Sequence, residues 1–409
     1  MRIVHIATID KGGAYNAARR LSEMFTRHGH DSKILVRTKT GDDECVIPVF
    51  DTKVKEIISK SKNVINLLCK KGEIKRDVLG TDLCDDQYVK EADVIFIHWI
   101  STFLSPKEIC RLSQLPNKKV IFVMHDMWLF TGGCHVDKRC GGYTSECRAC
   151  PLLYTDDRVR KRYTGLAAHR SFTRKASYIQ RSDMIVTGPS RWIVEEAGKS
   201  AILNGKVPQY MPNTLDTDIF RPNDDKASLR AKYDILPDKK VILFAAADTG
   251  TGNENKGFKY LTEALAQTDN KDIVLGIIGN TGSRSSLDDA FKRYDIKTFG
   301  YVTDEYTLAE IYNLGDVFVN PSLQESFGYT VCESMSCGTP AVAFAVGGML
   351  DQIEHKVNGY LAGFRDSIDL ARGIEYVLKH HEEISPKARE SAKRFSYDNV
   401  YAGVMEILI

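Results

Sequence analysis

The stretch Asp316-Val-Phe-Val-Asn-Pro-Ser-Leu-Gln-Glu-Ser-Phe-Gly-Tyr-Thr-Val-Cys-Glu333 decides the fold, because it predicts a strand, a loop and a helix in succession. Its first part is apolar and β-branched and is then broken by Asn-Pro-Ser, which predicts a buried strand. Residues 329–337 predict a short helix that Gly338 and Pro340 end. In an open α/β sheet such a loop is a ligand site, and the following helix N-terminus favours a phosphate.

Two carboxylates, Glu325 and Glu333, flank this loop and can face one ligand at different points along its length. A glutamate near a helix start is also an ordinary partner of the helix dipole. From these residues alone, both interpretations stay open.

The composition is that of a globular protein. The chain has 409 residues, 43% of them hydrophobic and 27% charged, which suits two domains of roughly 200 residues each. The formal net charge of +2 argues against a nucleic-acid partner. The start predicts a strand and not a signal peptide, and no apolar run is long enough to span a membrane. We therefore expect a cytoplasmic protein whose cysteines bind metal or pack in the core.

Apolar strands alternate with helical patterns along both halves of the chain, which predicts an α/β fold of two tandem Rossmann-like doubly wound domains facing a cleft. The predicted strands are residues 3–7, 32–36, 94–98, 120–125 and 184–188, then 241–246, 273–278, 297–299, 317–320 and 341–344. Glycines and prolines break the pattern between Ser190 and Pro222. The predicted domains are residues 1–189 and residues 190–394, with a terminal helix at 395–409.

Several segments together resemble the retaining glycosyltransferases of the GT-B fold, specifically the GT4 family. In the second half they are residues 320–340, Val346-Gly-Gly-Met-Leu-Asp351 and Asn358-Gly-Tyr360. In the first half, Gly12-Gly13, His125 and Pro189-Ser190 keep the family's order, and residues 395–399 are similar to the family's terminal helix, which crosses back to the first domain.

The resemblance implies a donor site for a nucleotide-diphosphate sugar in residues 190–394 and an acceptor site in residues 1–189. Glu333 would bind the ribose hydroxyls and Glu325 the hydroxyls of the sugar, through charge-assisted bonds of roughly 1.5–3 kcal/mol each. Ser326, Phe327, Gly328 and Tyr329 would form the turn whose backbone N–H groups meet the sugar and the diphosphate.

Lys256 is similar to the family lysine that neutralises the departing diphosphate. The family commonly has an arginine where this chain has Thr251, and the loop 248–255 contains no basic residue. Either Lys256 acts with helix dipoles alone, or another residue such as Arg284 takes that place.

In the first half, Gly13 would offer a backbone amide to the phosphate or the reacting centre, with a plain strand-to-helix turn as the alternative. His125 would contact the donor sugar and help to position the reacting carbon. The alternative is a core histidine paired with Asp126. His98 and Trp99 also end a predicted strand, where they line the acceptor side or only pack.

The implied reaction transfers a sugar with retention of configuration to a glycan or lipid-linked acceptor, in the biosynthesis of a surface polysaccharide. Asp216-Thr-Asp218 spells a metal-binding pattern of another glycosyltransferase fold, but we interpret it as a helix start and turn, so we expect no catalytic metal. The alternatives are a non-catalytic module that binds a nucleotide sugar or a partner, and an epimerase of related fold.

Four cysteines, Cys134, Cys140, Cys147 and Cys150, occur in one short loop with His135 and His169 nearby. Their number and the closing Cys-x-x-Cys predict a structural zinc. Reduced thiols and disulfides are the alternatives.

Two basic stretches, residues 53–76 and 158–181, contain apolar or aromatic side chains among their lysines and arginines. They are solvated faces, or they attach the protein to an anionic membrane at its inner face.

Overall fold

A computed structural model describes residues 1–50, 75–148, 150–153, 158–248, 254–268, 272–280 and 294–409. By their internal contacts, the chain forms two compact units. The first comprises Met1–Thr214 with Tyr401–Ile409, and the second comprises Leu215–Val400. None of the described helices combines the length and the apolar composition that a bilayer-spanning helix requires.

The first unit contains a parallel sheet of seven strands. These are β1 (Arg2–Ile9), β2 (Asp31–Thr38), β3 (Val46–Pro48), β4 (Val94–Ile97), β5 (Lys119–Val123), β6 (Ile185–Gly188) and β7 (Gln209–Tyr210). Its helices are α1 (Gly13–Arg27), α2 (Gln87–Glu91), α3 (Pro106–Ser113), α4 (Arg158–Ile179) and α5 (Arg191–Gly198). The strand order is β3-β2-β1-β4-β5-β6-β7.

The strand order of the first unit reverses between β1 and β4. Ile3 of β1 pairs with Ser32 of β2 on one side and with Val94 of β4 on the other. The crevice at the carboxyl ends of two such strands is where doubly wound sheets bind ligands. Gly12 and His98 lie just beyond these two ends.

The second unit contains a parallel sheet of six strands. These are β8 (Lys240–Asp248), β9 (Ile273–Asn280), β10 (Asp295–Gly300), β11 (Val317–Asn320), β12 (Ala341–Phe344) and β13 (Gly359–Ala362). The described helices that begin in this unit are α6 (Lys226–Lys232), α7 (Phe258–Leu265), α8 (Glu305–Leu314), α9 (Tyr329–Ser336), α10 (Met349–Gln352), α11 (Ser367–Lys379), α12 (His381–Ala392) and α13 (Tyr397–Leu408). The order β10-β9-β8-β11-β12-β13 reverses between β8 and β11.

The unit boundaries differ from the predicted division after residue 189. The first unit continues to Thr214, because β7 pairs with β6 through Gly188 and Tyr210. Phe395 is buried in the second core, with its ring 5.3 Å from that of Phe327.

The terminal helix α13 returns to the first unit, as the resemblance implies. Its residues from Tyr401 onward belong to that unit. The Tyr401 hydroxyl lies 2.8 Å from His30 Nε2, and Lys119 Nζ donates to the carbonyl of Ile409 at 2.8 Å.

Candidate functional site

The carboxyl ends of β8 and β11 bring together two of the residues predicted to bind the donor. Lys256 Nζ lies 2.7 Å from Glu325 Oε2, in an ion pair whose side chains are 31% and 20% exposed. The two residues are far apart in sequence, but β8 and β11 are neighbours in the sheet. A cation and a carboxylate therefore lie at the ligand-binding edge of this sheet.

Backbone contacts fix the position of Lys256 relative to the loop after β11. Leu323 N donates to Asn255 O at 2.8 Å, and Asn255 Nδ2 donates to Gln324 O at 2.8 Å. Gly257 has φ of +68°, and a Cβ there would lie 1.9 Å from Pro321 O. Only glycine permits this approach, so Gly257 holds the lysine segment against the glutamate loop.

The paired glycines of Val346-Gly-Gly-Met support the other side of that loop. Gly348 N donates to Glu325 O at 2.9 Å, and the Gln352 amide donates to Phe327 O. A Cβ on Gly347 would lie 1.9 Å from Glu325 O. In the sequence these glycines belong to the family resemblance, and two adjacent glycines after a strand also indicate a close backbone approach.

The turn at residues 326–329 opens α9, as predicted. Gly328 has φ of +86° and caps the helix, so no side chain of the cap bonds to the first N–H groups. The first turn also contains no acidic residue. A helix start of this kind suits an anion, because its N–H groups and its dipole both favour negative charge. Phe327 is buried below the turn, while Ser326 and Tyr329 are partly exposed.

Glu333 lies inside α9 and is only 4% exposed. The Tyr312 hydroxyl donates to Glu333 Oε2 at 2.9 Å. A ligand hydroxyl that reaches Glu333 therefore shares the carboxylate with Tyr312, a partner that sequence reasoning missed. Burial, together with the charge of Glu333, raises the pKa of the Cys337 thiol well above its ordinary value.

Gly12 and Gly13 form the start of α1 at the carboxyl end of β1. Gly12 has φ of +88°, which favours glycine. A Cβ on Gly13 would meet no described atom within 4 Å, so packing does not require glycine at this position. The open space and the helix N-terminus both suit the predicted approach of a ligand to the Gly13 amide.

His125 lies beyond β5, but its partner is not Asp126. His125 Nε2 lies 2.8 Å from His98 Nδ1, and His98 Nε2 lies 3.0 Å from His5 Nδ1. The alternative interpretation of a His125–Asp126 pair is therefore wrong. Three strand-associated histidines form one hydrogen-bonded chain, with His5 and His98 buried and His125 partly exposed.

These three imidazoles are neutral at neutral pH. Burial lowers the pKa of His5 to about 3 and that of His125 to about 4, although Asp126 acts to raise the latter. The pKa of His98 is lowered well below its ordinary value by burial, and further by the charges that His125 and His5 carry when protonated.

Asp126 instead pairs with His135. His135 Nδ1 lies 2.6 Å from Asp126 Oδ2, and Trp99 Nε1 is 3.4 Å from the same nitrogen. Beside His135 the pKa of the Asp126 carboxyl falls below its ordinary value, although burial alone would raise it. A pocket at this edge of the first sheet is lined by His98, Trp99, Ile100, Ser101, Phe122, Val123, His125, Asp126, Trp128 and His135. The structure thus brings His98 and Trp99 to one pocket with His125.

The cysteine loop does not present a complete metal site. Of the residues that the structure describes, no three His, Cys, Asp or Glu side chains are grouped to hold one ion. Gly142 N donates to Cys140 Sγ at 3.3 Å and Gly132 N to Cys147 Sγ at 3.2 Å. Burial raises the pKa of Cys134 to about 12 and that of Cys147 to about 11.

The two nearby histidines bond elsewhere, since His169 Nδ1 bonds to Glu146 O at 3.0 Å and His135 bonds to Asp126. Zinc therefore stays a prediction for Cys134, Cys140, Cys147 and Cys150. Metal analysis of the purified protein tests it, and zinc well below about one equivalent contradicts it.

Most of the first basic stretch, residues 53–74, lies outside the described residues, as do Thr251 and Arg284. Within the described part, two basic residues of the second stretch bond to the protein. Lys175 is 1% exposed and donates to the Trp128 and Thr131 carbonyls, and burial lowers its pKa to about 7. Arg174 donates to three backbone carbonyls at residues 76–78. Neither is a solvated charge, so neither belongs to a membrane-binding face.

Asp216-Thr-Asp218 is the turn that the sequence predicts. Asp216 is 2% exposed, and its Oδ1 accepts hydrogen bonds from Asp218 N at 3.0 Å and Ile219 N at 3.3 Å. A carboxylate that is used to hold a turn in this way is not presented to a metal.

Residues 225–397 match the family model of the glycosyl transferases group 1. An uncharacterized glycosyltransferase of Methanocaldococcus jannaschii is 30% identical over 197 residues, 46% of this chain and 49% of that protein. The D-inositol 3-phosphate glycosyltransferase of Geodermatophilus obscurus is 33% identical over 202 residues, 46% of this chain and 44% of that protein. The matches thus span about half the length of each relative.

Solved structures match over nearly the whole chain. Sucrose-phosphate synthase from Thermosynechococcus elongatus superposes with a TM-score of 0.67 at 18% identity, covering 99% of this chain and 98% of that one. Anabaena HepE in complex with UDP gives a TM-score of 0.65 at 17% identity, covering 100% and 99%. At these identities the likeness concerns the fold, and the predicted GT-B fold of two Rossmann-like units is confirmed.

Proposed function

Because residues 225–397 match the family model of the glycosyl transferases group 1, we propose that this chain transfers a sugar from a nucleotide-diphosphate sugar to a hydroxyl acceptor. The observation that carries this proposal is the Lys256–Glu325 pair, 2.7 Å apart beside the start of α9. A cation, a carboxylate and a helix N-terminus together match a ligand that has both a diphosphate and sugar hydroxyls.

In the second unit, each residue has a separate task. Lys256 and the N-terminus of α9 offset the negative charge that develops on the departing diphosphate. Glu325 accepts hydrogen bonds from the sugar hydroxyls, and Glu333 accepts them from the ribose. As the donor enters, Lys256 exchanges part of its contact with Glu325 for the phosphate oxygens, so that Glu325 becomes available to the sugar.

We propose that the reaction retains the anomeric configuration. The acceptor hydroxyl oxygen bonds to the anomeric carbon on the face from which the phosphate oxygen leaves, and the hydroxyl proton passes to that oxygen. The carboxylate nearest to the proposed sugar position, Glu325, is paired with Lys256, which supports a role in binding over a role as nucleophile. In the first unit, the Gly13 amide and His125 are proposed contacts to the transferred sugar.

We also propose that the transfer needs no metal ion. The support is that the Asp216 carboxylate is buried and accepts hydrogen bonds within its own turn, and that Lys256 supplies positive charge where a metal would otherwise act. Transfer that is lost on treatment with a chelator and restored by a divalent cation contradicts this part of the proposal.

The proposed acceptor is a glycan or a lipid-linked sugar of a surface polysaccharide, taken up at the inner face of the membrane. Its support is the sequence resemblance and the basic composition of residues 158–181, of which Arg170 and Arg181 are exposed. Sedimentation with vesicles of anionic lipid, and not with neutral vesicles, is the expected result for peripheral attachment.

Incubation with labelled nucleotide sugars, with and without glycan acceptors, tests the activity. The expected result is transfer, or slow donor hydrolysis without acceptor, and the anomeric configuration of the product is read by NMR. If no donor is transferred or hydrolysed, the chain is a binding module. A product sugar that is altered without any acceptor indicates an epimerase.

A further inference from the structure

His5, His98 and His125 form a chain in which the direction of each hydrogen bond depends on the other. His5 Nδ1 lies 3.0 Å from His98 Nε2, and His98 Nδ1 lies 2.8 Å from His125 Nε2. Adjacent rings are stacked, with centroids 5.3 Å and 5.1 Å apart. Both nitrogens of His98 are therefore occupied by other imidazoles.

The number of ring protons limits the hydrogen bonds of the histidine chain to two arrangements. A neutral imidazole has one N–H donor and one acceptor nitrogen. If His98 donates through Nδ1, it must accept through Nε2, and the reverse also holds. Both hydrogen bonds consequently run in the same direction. One end of the histidine chain, either His5 Nε2 or His125 Nδ1, then has an N–H, and the other end has a lone pair.

The two ends have different surroundings. His5 Nε2 is buried with no hydrogen-bond partner among the described residues, and the His5 ring stacks on Phe96 with centroids 5.1 Å apart. His125 lines the pocket at the edge of the first sheet, where water or a ligand can bond to its Nδ1. A buried N–H without a partner is rarer than an acceptor without one. The lone pair therefore belongs at His5 Nε2, and the N–H at His125 Nδ1.

We propose that His5 and His98 are positioning residues that fix the tautomer of His125, so that its Nδ1–H is offered to an oxygen of the bound substrate. In this arrangement His5 Nδ1–H donates to His98 Nε2, and His98 Nδ1–H donates to His125 Nε2. The ligand group that His125 recognises is thus a hydrogen-bond acceptor. The contact between His125 and a substrate rests on the proposed function, whereas the assignment of the tautomers does not.

The histidine ring signals in NMR spectra of the 15N-labelled full chain test the proposal directly, because protonated and unprotonated ring nitrogens are distinguishable. At neutral pH we expect a proton on Nδ1, and none on Nε2, for all three residues. A proton on His125 Nε2 overturns the proposal. This result does not depend on whether the protein transfers sugars, so it separates a failure of this inference from a failure of the proposed function.

Variants test the consequence for turnover. His5→Leu removes the donor to His98, and we expect His125 to become a mixture of tautomers and kcat to fall between about twofold and tenfold, as the competent fraction falls. His5→Asn keeps an N–H near the position of Nδ1. We expect it to restore most of the His125 tautomer preference and most of kcat.

The matched control is Ser32→Ala, which removes another buried polar contact, the 2.8 Å bond between the Ser22 and Ser32 hydroxyls. We expect it to leave the His125 tautomer and kcat unchanged. An unaltered His125 tautomer in His5→Leu contradicts the proposal. If His5→Leu does not fold, the NMR spectrum of the unaltered protein still tests the proposed tautomers.

Discussion

Lys256 Nζ lies 2.7 Å from Glu325 Oε2, so the cation and the carboxylate that we propose for the donor site form an ion pair. Both side chains remain partly exposed, at 31% and 20%. Ion pairs in such surroundings contribute at most about 1 kcal/mol to stability. The pair therefore contributes little to the stability of the fold, and replacing either residue should leave the fold intact.

Lys256→Ala is expected to lower kcat for sugar transfer by at least about 100-fold, because it removes the charge that offsets the departing diphosphate. Its free energy of unfolding should change by less than about 1 kcal/mol. The matched control is Lys259→Ala, since the Lys259 side chain is 77% exposed on the next helix. Equal kcat values for the two variants in steady-state assays would remove Lys256 from the mechanism.

Variants at Glu333 and Tyr312 distinguish a role of the Glu333 carboxylate in ribose binding from a role in packing. Glu333→Ala is expected to weaken nucleotide binding by about 10- to 100-fold, the equivalent of one or two charge-assisted hydrogen bonds. Tyr312→Phe removes the hydroxyl that donates the 2.9 Å bond to Glu333, so it should cost about 1 kcal/mol of stability and change nucleotide affinity much less. Calorimetric titration with nucleoside diphosphates measures both. Unchanged affinity in Glu333→Ala refutes the ribose assignment.

Glycine substitutions test whether the start of α1 meets a ligand. A Cβ on Gly13 or on Gly403 would meet no described atom within 4 Å, and neither glycine has a positive φ. Both Gly→Ala variants should therefore be as stable as the unaltered chain, or more stable by about 0.4–1 kcal/mol. Only Gly13→Ala should lose donor affinity. Equal affinity in the two variants would mean that Gly13 is a plain turn residue.

Gly257→Ala should behave in the opposite way to Gly13→Ala. Its φ of +68° and the 1.9 Å approach of a Cβ to Pro321 O force the loop to move. We expect a loss of more than about 1 kcal/mol in unfolding free energy, together with weaker donor binding, because Lys256 moves with the loop. Chemical denaturation reports the first effect and calorimetric titration the second. Stability equal to that of the unaltered chain would show that the loop lies elsewhere.

The histidine chain predicts how stability depends on pH. The pKa of His5 is about 3 in the folded chain and 6.5 in its ordinary state, so below pH 6.5 the unfolded chain binds a proton that the folded chain does not. Stability must therefore fall as the pH falls from about 6.5 towards 3, by up to about 1.4 kcal/mol per pH unit for this residue. His5→Leu should show a shallower decline in urea unfolding between pH 6.5 and 4.5. An identical slope would contradict the buried, neutral His5.

The sequence predicts the central strands well and the sheet edges poorly. The run Val317–Asn320 is buried along its whole length, and its first three residues are apolar, which makes it recognisable. The strands β3, β7 and β13 were missed, and each is a short edge strand with little apolar pattern. The first unit ends at Thr214, which lies within the interrupted stretch Ser190–Pro222 but later than residue 189, because β7 extends the first sheet.

Side-chain partnerships were the least predictable feature. His5, His98 and His125 are distant in sequence, and only the order β1-β4-β5 in the sheet makes them neighbours. The alternative that paired His125 with Asp126 fails, because the backbone turns after β5 and presents Asp126 to His135. By contrast, the reversal of strand order between β8 and β11 is a general property of doubly wound sheets, and it accounts for the meeting of Lys256 with Glu325.

The most direct test of the account is thermal unfolding of the unaltered chain and of Lys256→Ala in the presence of a panel of nucleotide-diphosphate sugars. A donor at 100 times its dissociation constant stabilises a protein by about 2.7 kcal/mol, which is readily measured. We predict that at least one donor raises the unfolding temperature of the unaltered chain, and that the same donor has little effect on Lys256→Ala. Equal stabilisation of both proteins, or none by any donor, would contradict the assignment of Lys256 and Glu325 as the donor site.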